Sequence, residues 1–158
     1  MTLDHLATAA ELLGMLSAVG ALVLLIIRMR HNATHRLALG LALLAAFLIL
    51  WINLAVGIIG EPENPANLMY FGVIAVGIVG AIIGRFHPDR MTRAMFVTAI
   101  AQALVAAITA YVGLGEPVTW WWSLLFLNGI LIMLWAGSAC LFRKAARSHD
   151  PEGDRSDS

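Results

Sequence analysis

Apolar residues in this chain come in long unbroken runs separated by short polar segments, and that alternation predicts its elements. A helix that crosses a bilayer needs about 20 predominantly apolar residues. Five runs come close to that length or exceed it: 6–27, 37–59, 68–84, 94–115 and 120–142. Polar segments at 28–36, 61–67, 85–93 and 116–119 separate them. None of the runs shows the period-two alternation of a membrane strand. Backbone inside lipid must satisfy its own hydrogen bonds, so solid apolar runs predict helices. The expected fold is all-α: a polytopic transmembrane bundle over 1–147, with five helices or a four-helix core of two hairpins plus one accessory N-terminal helix. Residues 148–158 are charged and poor in apolar side chains, which predicts a disordered cytoplasmic tail.

Composition strengthens this reading. Hydrophobic residues make up 60% of the 158 positions and charged residues 13%. A soluble domain has about 45–50% apolar and about 25% charged residues, so the composition argues against a water-soluble enzyme and excludes collagen-like, disordered and disulfide-rich chains. The lone cysteine, Cys140, forms no internal disulfide and no cysteine metal cluster. Net charge is zero, but its placement is one-sided. All ten Lys and Arg residues fall in 28–36, 85–93 or from Arg143 onward. Asp4, Glu61, Glu63 and Glu116 occupy the N-terminus and the other two connections. The positive-inside rule then predicts the N-terminus outside and the C-terminus in the cytoplasm.

Residues 36–90 and 93–147 share a plan. Each opens on an arginine, runs apolar to Gly-Glu-Pro (60–62 and 115–117), turns, runs apolar again and ends in basic residues. Two parallel hairpins related about the membrane normal would follow from a duplication. Small residues line several runs, including Gly77, Gly80, Gly84, Ala103 and Ala107, and they let helices approach closely in lipid. These five are the candidate helix-packing positions, either within the bundle or on a self-association face. Trp120–Trp122, Tyr70 and Tyr111 lie near the predicted outer edge, where aromatic anchors collect.

Candidate chemistry is sparse. Glu11 is the one acid within an apolar run, about 7 Å from that run's outer start at 1.5 Å per residue. Asn53, Gln102 and Asn128 are the amides within the runs. One reading makes these four a polar pocket open to the outside, with the Glu11 carboxyl available for proton coupling. The other makes the amides interhelical hydrogen-bonding groups and leaves Glu11 near the headgroups. Asn64-Pro65 is a good start for the third helix, because Asn caps free N–H groups and Pro suits the first turn, and Asn67 is an alternative cap. No nucleophile triad, phosphate loop, haem-attachment motif or metal-ligand spacing is present. No catalytic residue, metal or cofactor is therefore expected. The basic connections need only anionic lipid, not nucleic acid, as their partner.

Three resemblances bear on function. Asn64-Pro65-Ala66 resembles the Asn-Pro-Ala motif of aquaporins, but a single copy in a polar connection lacks the facing half-helix that family requires. Ala10-Glu11-Leu12-Leu13-Gly14 resembles the first helix of small multidrug resistance transporters, which implies Glu11 as a proton and solute site. The broadest resemblance rests on 50–60, Glu63 to Tyr70, Ala101 to Ala106, and Leu134-Trp135 through Ser138-Ala139 to Arg143. Over about 36–147 the chain resembles a family of small uncharacterised bacterial four-span inner-membrane proteins, with an extra N-terminal span. The resulting expectation is a multi-pass protein of the bacterial inner membrane and a non-enzymatic bundle or oligomer subunit. Its partners would be the lipid bilayer and itself or another membrane protein. The alternative is a small-solute, cation or proton-coupled transporter.

Overall fold

The computed structural model describes residues 17, 20, 24, 33–55, 58–59, 65–113 and 120–148. The chain divides into two units, Met1–His31 and Asn32–Ser158. In the first, Ser17, Gly20 and Leu24 are helical. The rest of the expected first span, Glu11 included, lies outside the described residues. Among its described residues, the second unit contains four helices long and apolar enough to cross a membrane. They are α1 (Ala33–Ala55), α2 (Leu68–Gly84), α3 (Pro88–Val112) and α4 (Trp120–Arg147), with a 3-10 turn at Pro65–Asn67 leading into α2. No strand occurs among the described residues.

Several helix ends differ from the apolar limits. α1 begins at Ala33 rather than 37, because helical hydrogen bonding continues through Thr34, His35 and Arg36 beyond the apolar run. It stops at Ala55 rather than 59, and the chain bends at Ile58 and Ile59. α3 begins at Pro88 rather than 94, with proline in the first turn where its missing N–H is harmless. It ends at Val112, closed by Gly113 in the left-handed region at φ 68°. α4 extends past 142 to Arg147, placing Lys144 and Arg147 against the negative end of the helix dipole. Of the expected tail, Ser148 is described; its N–H and hydroxyl both donate to the Lys144 carbonyl.

Successive helices run antiparallel. The start of α1 meets the end of α4, where Ser138 Oγ donates to the Ala38 carbonyl at 2.7 Å. His35 and Phe142 meet edge to face at the same end, with ring centroids 5.1 Å apart. The end of α2 meets the start of α3 through Gly84 and Arg90. Packing order across the bundle is α1, α4, α3, α2, and α1 touches α2 only slightly. The second hairpin is thus closed and the first splayed, so the two expected hairpins are unequal.

Each helix buries a narrow seam. On α1 it is His35, Ala38, Ala42, Ala45, Ile49 and Asn53. On α3 it is Met91, Met95, Thr98, Ala99, Gln102, Ala106 and Thr109. On α4 it includes Leu124, Asn128, Leu131, Trp135, Ser138, Ala139, Phe142 and Ala145. Steps of three and four residues keep such a seam on one face. Among the candidate packing positions, Gly77, Gly80 and Gly84 face α3. A Cβ at Gly80 would stand 2.8 Å from the Ala94 Cβ, and one at Gly84 would stand 3.2 Å from the Arg90 Cβ. Ala103 and Ala107 lie elsewhere, on the exposed side of α3. Gln102, Ala106 and Thr109 hold the inner face, and a residue one position further round the helix turns outward.

Candidate functional site

Asn53, Asn67, Gln102, Thr109 and Asn128, with Tyr70, gather in two places toward the end of the bundle away from His35 and Phe142; His35, Thr98 and Ser138 are buried elsewhere. The larger cluster joins three helices. Asn128 of α4 is 2% exposed, and Gln102 of α3 and Tyr70 of α2 are fully buried. Asn128 Oδ1 accepts from Gln102 Nε2 at 2.8 Å and from the Tyr70 hydroxyl at 3.2 Å. Its Nδ2 donates back to the Leu124 carbonyl one turn earlier, at 2.9 Å. Thr109 of α3 sits beside the same phenol, and its own hydroxyl donates to the Val105 carbonyl.

These side chains point inward because the helical phase of their neighbours does. Gln102 lies three and four residues from Ala99 and Ala106, and Asn128 three and four from Leu131 and Leu124, all of them buried. In a bundle surrounded by lipid, the interior is the only place for an amide to find a partner.

The second site ties α1 to the turn before α2. Asn53 Nδ2 donates to the Asn67 carbonyl at 3.0 Å, and the Ile59 N–H donates to Asn67 Oδ1 at 2.8 Å. Asn67 therefore holds the N-cap position of α2 without a side-chain cap hydrogen bond. Its oxygen bonds the incoming loop instead. Of the two expected starts, the α-helix takes the one after Asn67, beginning at Leu68, while Pro65 opens the preceding 3-10 turn.

Of the four residues expected to share a pocket, the fold brings Gln102 and Asn128 together. Asn53 belongs to the separate link with Asn67, and Glu11 lies outside the described residues. Tyr70, expected near the interface as an anchor, is instead a fully buried member of the three-helix cluster. Sequence reasoning also passed over Asn67 as a loop clamp, and Thr109 and Ser138 as interior groups. For Thr109 and Ser138 the available signal was their polarity within otherwise apolar runs, whereas Asn67 stood in a polar segment where it drew no notice as a clamp. By contrast Tyr111 is 94% exposed and Trp122 is 79% exposed, both placed for contact with headgroups or lipid.

The chemistry of the cluster is limited. The amides and the phenol are bonded to one another and to backbone, with Tyr70 and Gln102 both donating to Asn128 Oδ1. Gln102 Oε1 and Asn53 Oδ1 are buried acceptors with no hydrogen-bond partner among the described residues. No group of three His, Cys, Asp or Glu side chains capable of holding a metal occurs among those residues. The chain matches no protein-family model, no curated protein and no solved structure.

Proposed function

We propose that this chain is a non-enzymatic integral membrane protein, a helical-bundle subunit that associates with itself or another membrane protein. The carrying observation is the state of Asn128. Its carbonyl oxygen accepts two hydrogen bonds and its amino group donates to backbone, so the amide joins α2, α3 and α4. A solute-binding amide needs donors or acceptors turned toward a pathway. Here the interhelical reading of the intramembrane amides accounts for the geometry.

The proposed setting is the bacterial inner membrane, with the basic end of the bundle in the cytoplasm. Arg36, Arg85, Arg90, Arg93, Arg143, Lys144 and Arg147 cluster at the end where α1 and α3 start and α2 and α4 finish. That distribution supports the orientation under the positive-inside rule. The resemblance over about 36–147 supports the bacterial assignment.

Thiol labelling tests the reading. Single cysteines at positions 5, 11, 53 and 128, in a Cys140→Ser background, are exposed to a membrane-impermeant maleimide in intact cells. Reaction at position 5 alone is the expected result. Reaction at 11, 53 and 128 as well means a water-filled outward pocket, and the transporter reading then replaces this one.

A further inference from the structure

We propose that the groove between α2 and α3 at the basic end of the bundle is a binding site for one anionic phospholipid. The groove has a volume of about 400 Å³. Gly80, Gly84 and Ala94 form its floor, Val76, Ile83 and Val97 its apolar walls, and Arg90 and Arg93 stand at one end. The tight spacing at Gly80 and Gly84 brings the helices together and leaves a trough alongside the contact.

Its chemistry is divided along its length. From Gly84 to Val76 the helix rises about 12 Å, a stretch with aliphatic walls that suits an acyl chain. At the Gly84 end two exposed guanidiniums offer planar, paired donors that fit phosphate oxygens. Charge complementarity selects an anion. The described residues carry seven Lys and Arg side chains against one carboxylate, Asp89, and Asp89 does not line the groove. Basic recesses between transmembrane helices at the cytoplasmic surface are suited to acidic headgroups. The phosphate would bridge Arg90 and Arg93 while one chain lies over Gly80. A phospholipid fits both halves of this surface, whereas a free phosphate fits only one. The inference stands independently of whether the protein pairs with another.

Native mass spectrometry of the full-length protein in detergent provides the test. The protein is titrated with an equimolar mixture of phosphatidylglycerol and phosphatidylcholine of matched chain length. One phosphatidylglycerol should be retained with a preference on the order of tenfold, given the effect of two arginines near a membrane surface. Arg90→Gln with Arg93→Gln should abolish that preference, and Arg90→Lys with Arg93→Lys should keep part of it. Val97→Trp, which fills the groove and leaves both arginines, should reduce retention of the lipid. Arg143→Gln with Lys144→Gln, at the same end but outside the groove, should change nothing. Equal retention of the two lipids overturns the proposal, as does an equal loss in both double variants, which would mean diffuse end charge. Displacement by soluble glycerol phosphate also overturns it, since the aliphatic half would then have no part in binding.

Discussion

Removing the Asn128 side chain would leave two donors, from Tyr70 and Gln102, facing an apolar gap. Removing Gln102 would break one hydrogen bond but also delete a buried acceptor that has no partner among the described residues. The cost of a lost hydrogen bond depends mainly on what is left unsatisfied. Asn128→Leu should therefore destabilise the bundle by about 2 kcal/mol, and Gln102→Leu by about 0.5 kcal/mol. Reversible unfolding in mixed micelles would measure both, and equal losses would contradict the assigned geometry. A second prediction concerns the turn between α2 and α3. Arg85 and Phe86 adopt φ of 46° and 56°, a left-handed conformation that costs a residue with a Cβ about 1–2 kcal/mol. Arg85→Gly should raise stability by about 1 kcal/mol in the same assay, the left-handed relief being partly offset by glycine's greater chain entropy. A loss instead would mean that the arginine side chain itself holds the turn.

Among the elements, α2 shows how unequal its glycines are. A Cβ at Gly80 would press into Ala94 at 2.8 Å, while one at Gly72 would meet nothing within 4 Å. Gly80→Val should drive α2 from α3 and cost about 3 kcal/mol, an overpacking penalty. Gly72→Ala should gain about 0.5–1 kcal/mol from helix propensity. Thermal unfolding of the two variants side by side separates these cases, and a neutral Gly80→Val would refute the close approach. The same helices show what could be read in advance. Apolar runs marked where helices run, but their ends moved where helical hydrogen bonding outlasted the apolar stretch, as at α1 and α4. The inward faces were harder to read, since in lipid the outer face is apolar too. Gln102, Asn128, Thr98 and Ser138 carried that information through their polarity. Ala103 and Ala107 could not be assigned this way, since alanine suits either side. Which amide meets which was illegible, because the pairing depends on the packing order of the helices.

For the molecule as a whole, the exposed position of Ala103 and Ala107 gives the proposed association a place to occur. They lie beside Ile100 and Leu104 on the outer side of α3, both also exposed. Small residues four apart on a lipid-facing surface allow a second helix to approach closely. In a Cys140→Ser background, Ile100→Cys should form a disulfide-linked dimer in oxidised membranes. Adding Ala103→Ile and Ala107→Ile should reduce that product several-fold, on the order of 1 kcal/mol of helix–helix packing. Unchanged cross-linking would move the association to another face.

The order in which the helices pack also sets a timetable for synthesis. α1 and α2 leave the ribosome first, yet they touch each other only slightly. The partner of α1 is α4, whose Ser138 bonds the Ala38 carbonyl, and α4 is the last of these four helices to be made. α1 must therefore wait in the membrane with its inner edge uncovered until the 28-residue α4 arrives, whereas α2 packs on α3 beforehand. A ribosome that stalls before Trp120 would leave in the bilayer a polypeptide whose Tyr70 and Gln102 lack their shared acceptor, Asn128, a mark that quality-control proteases can recognise.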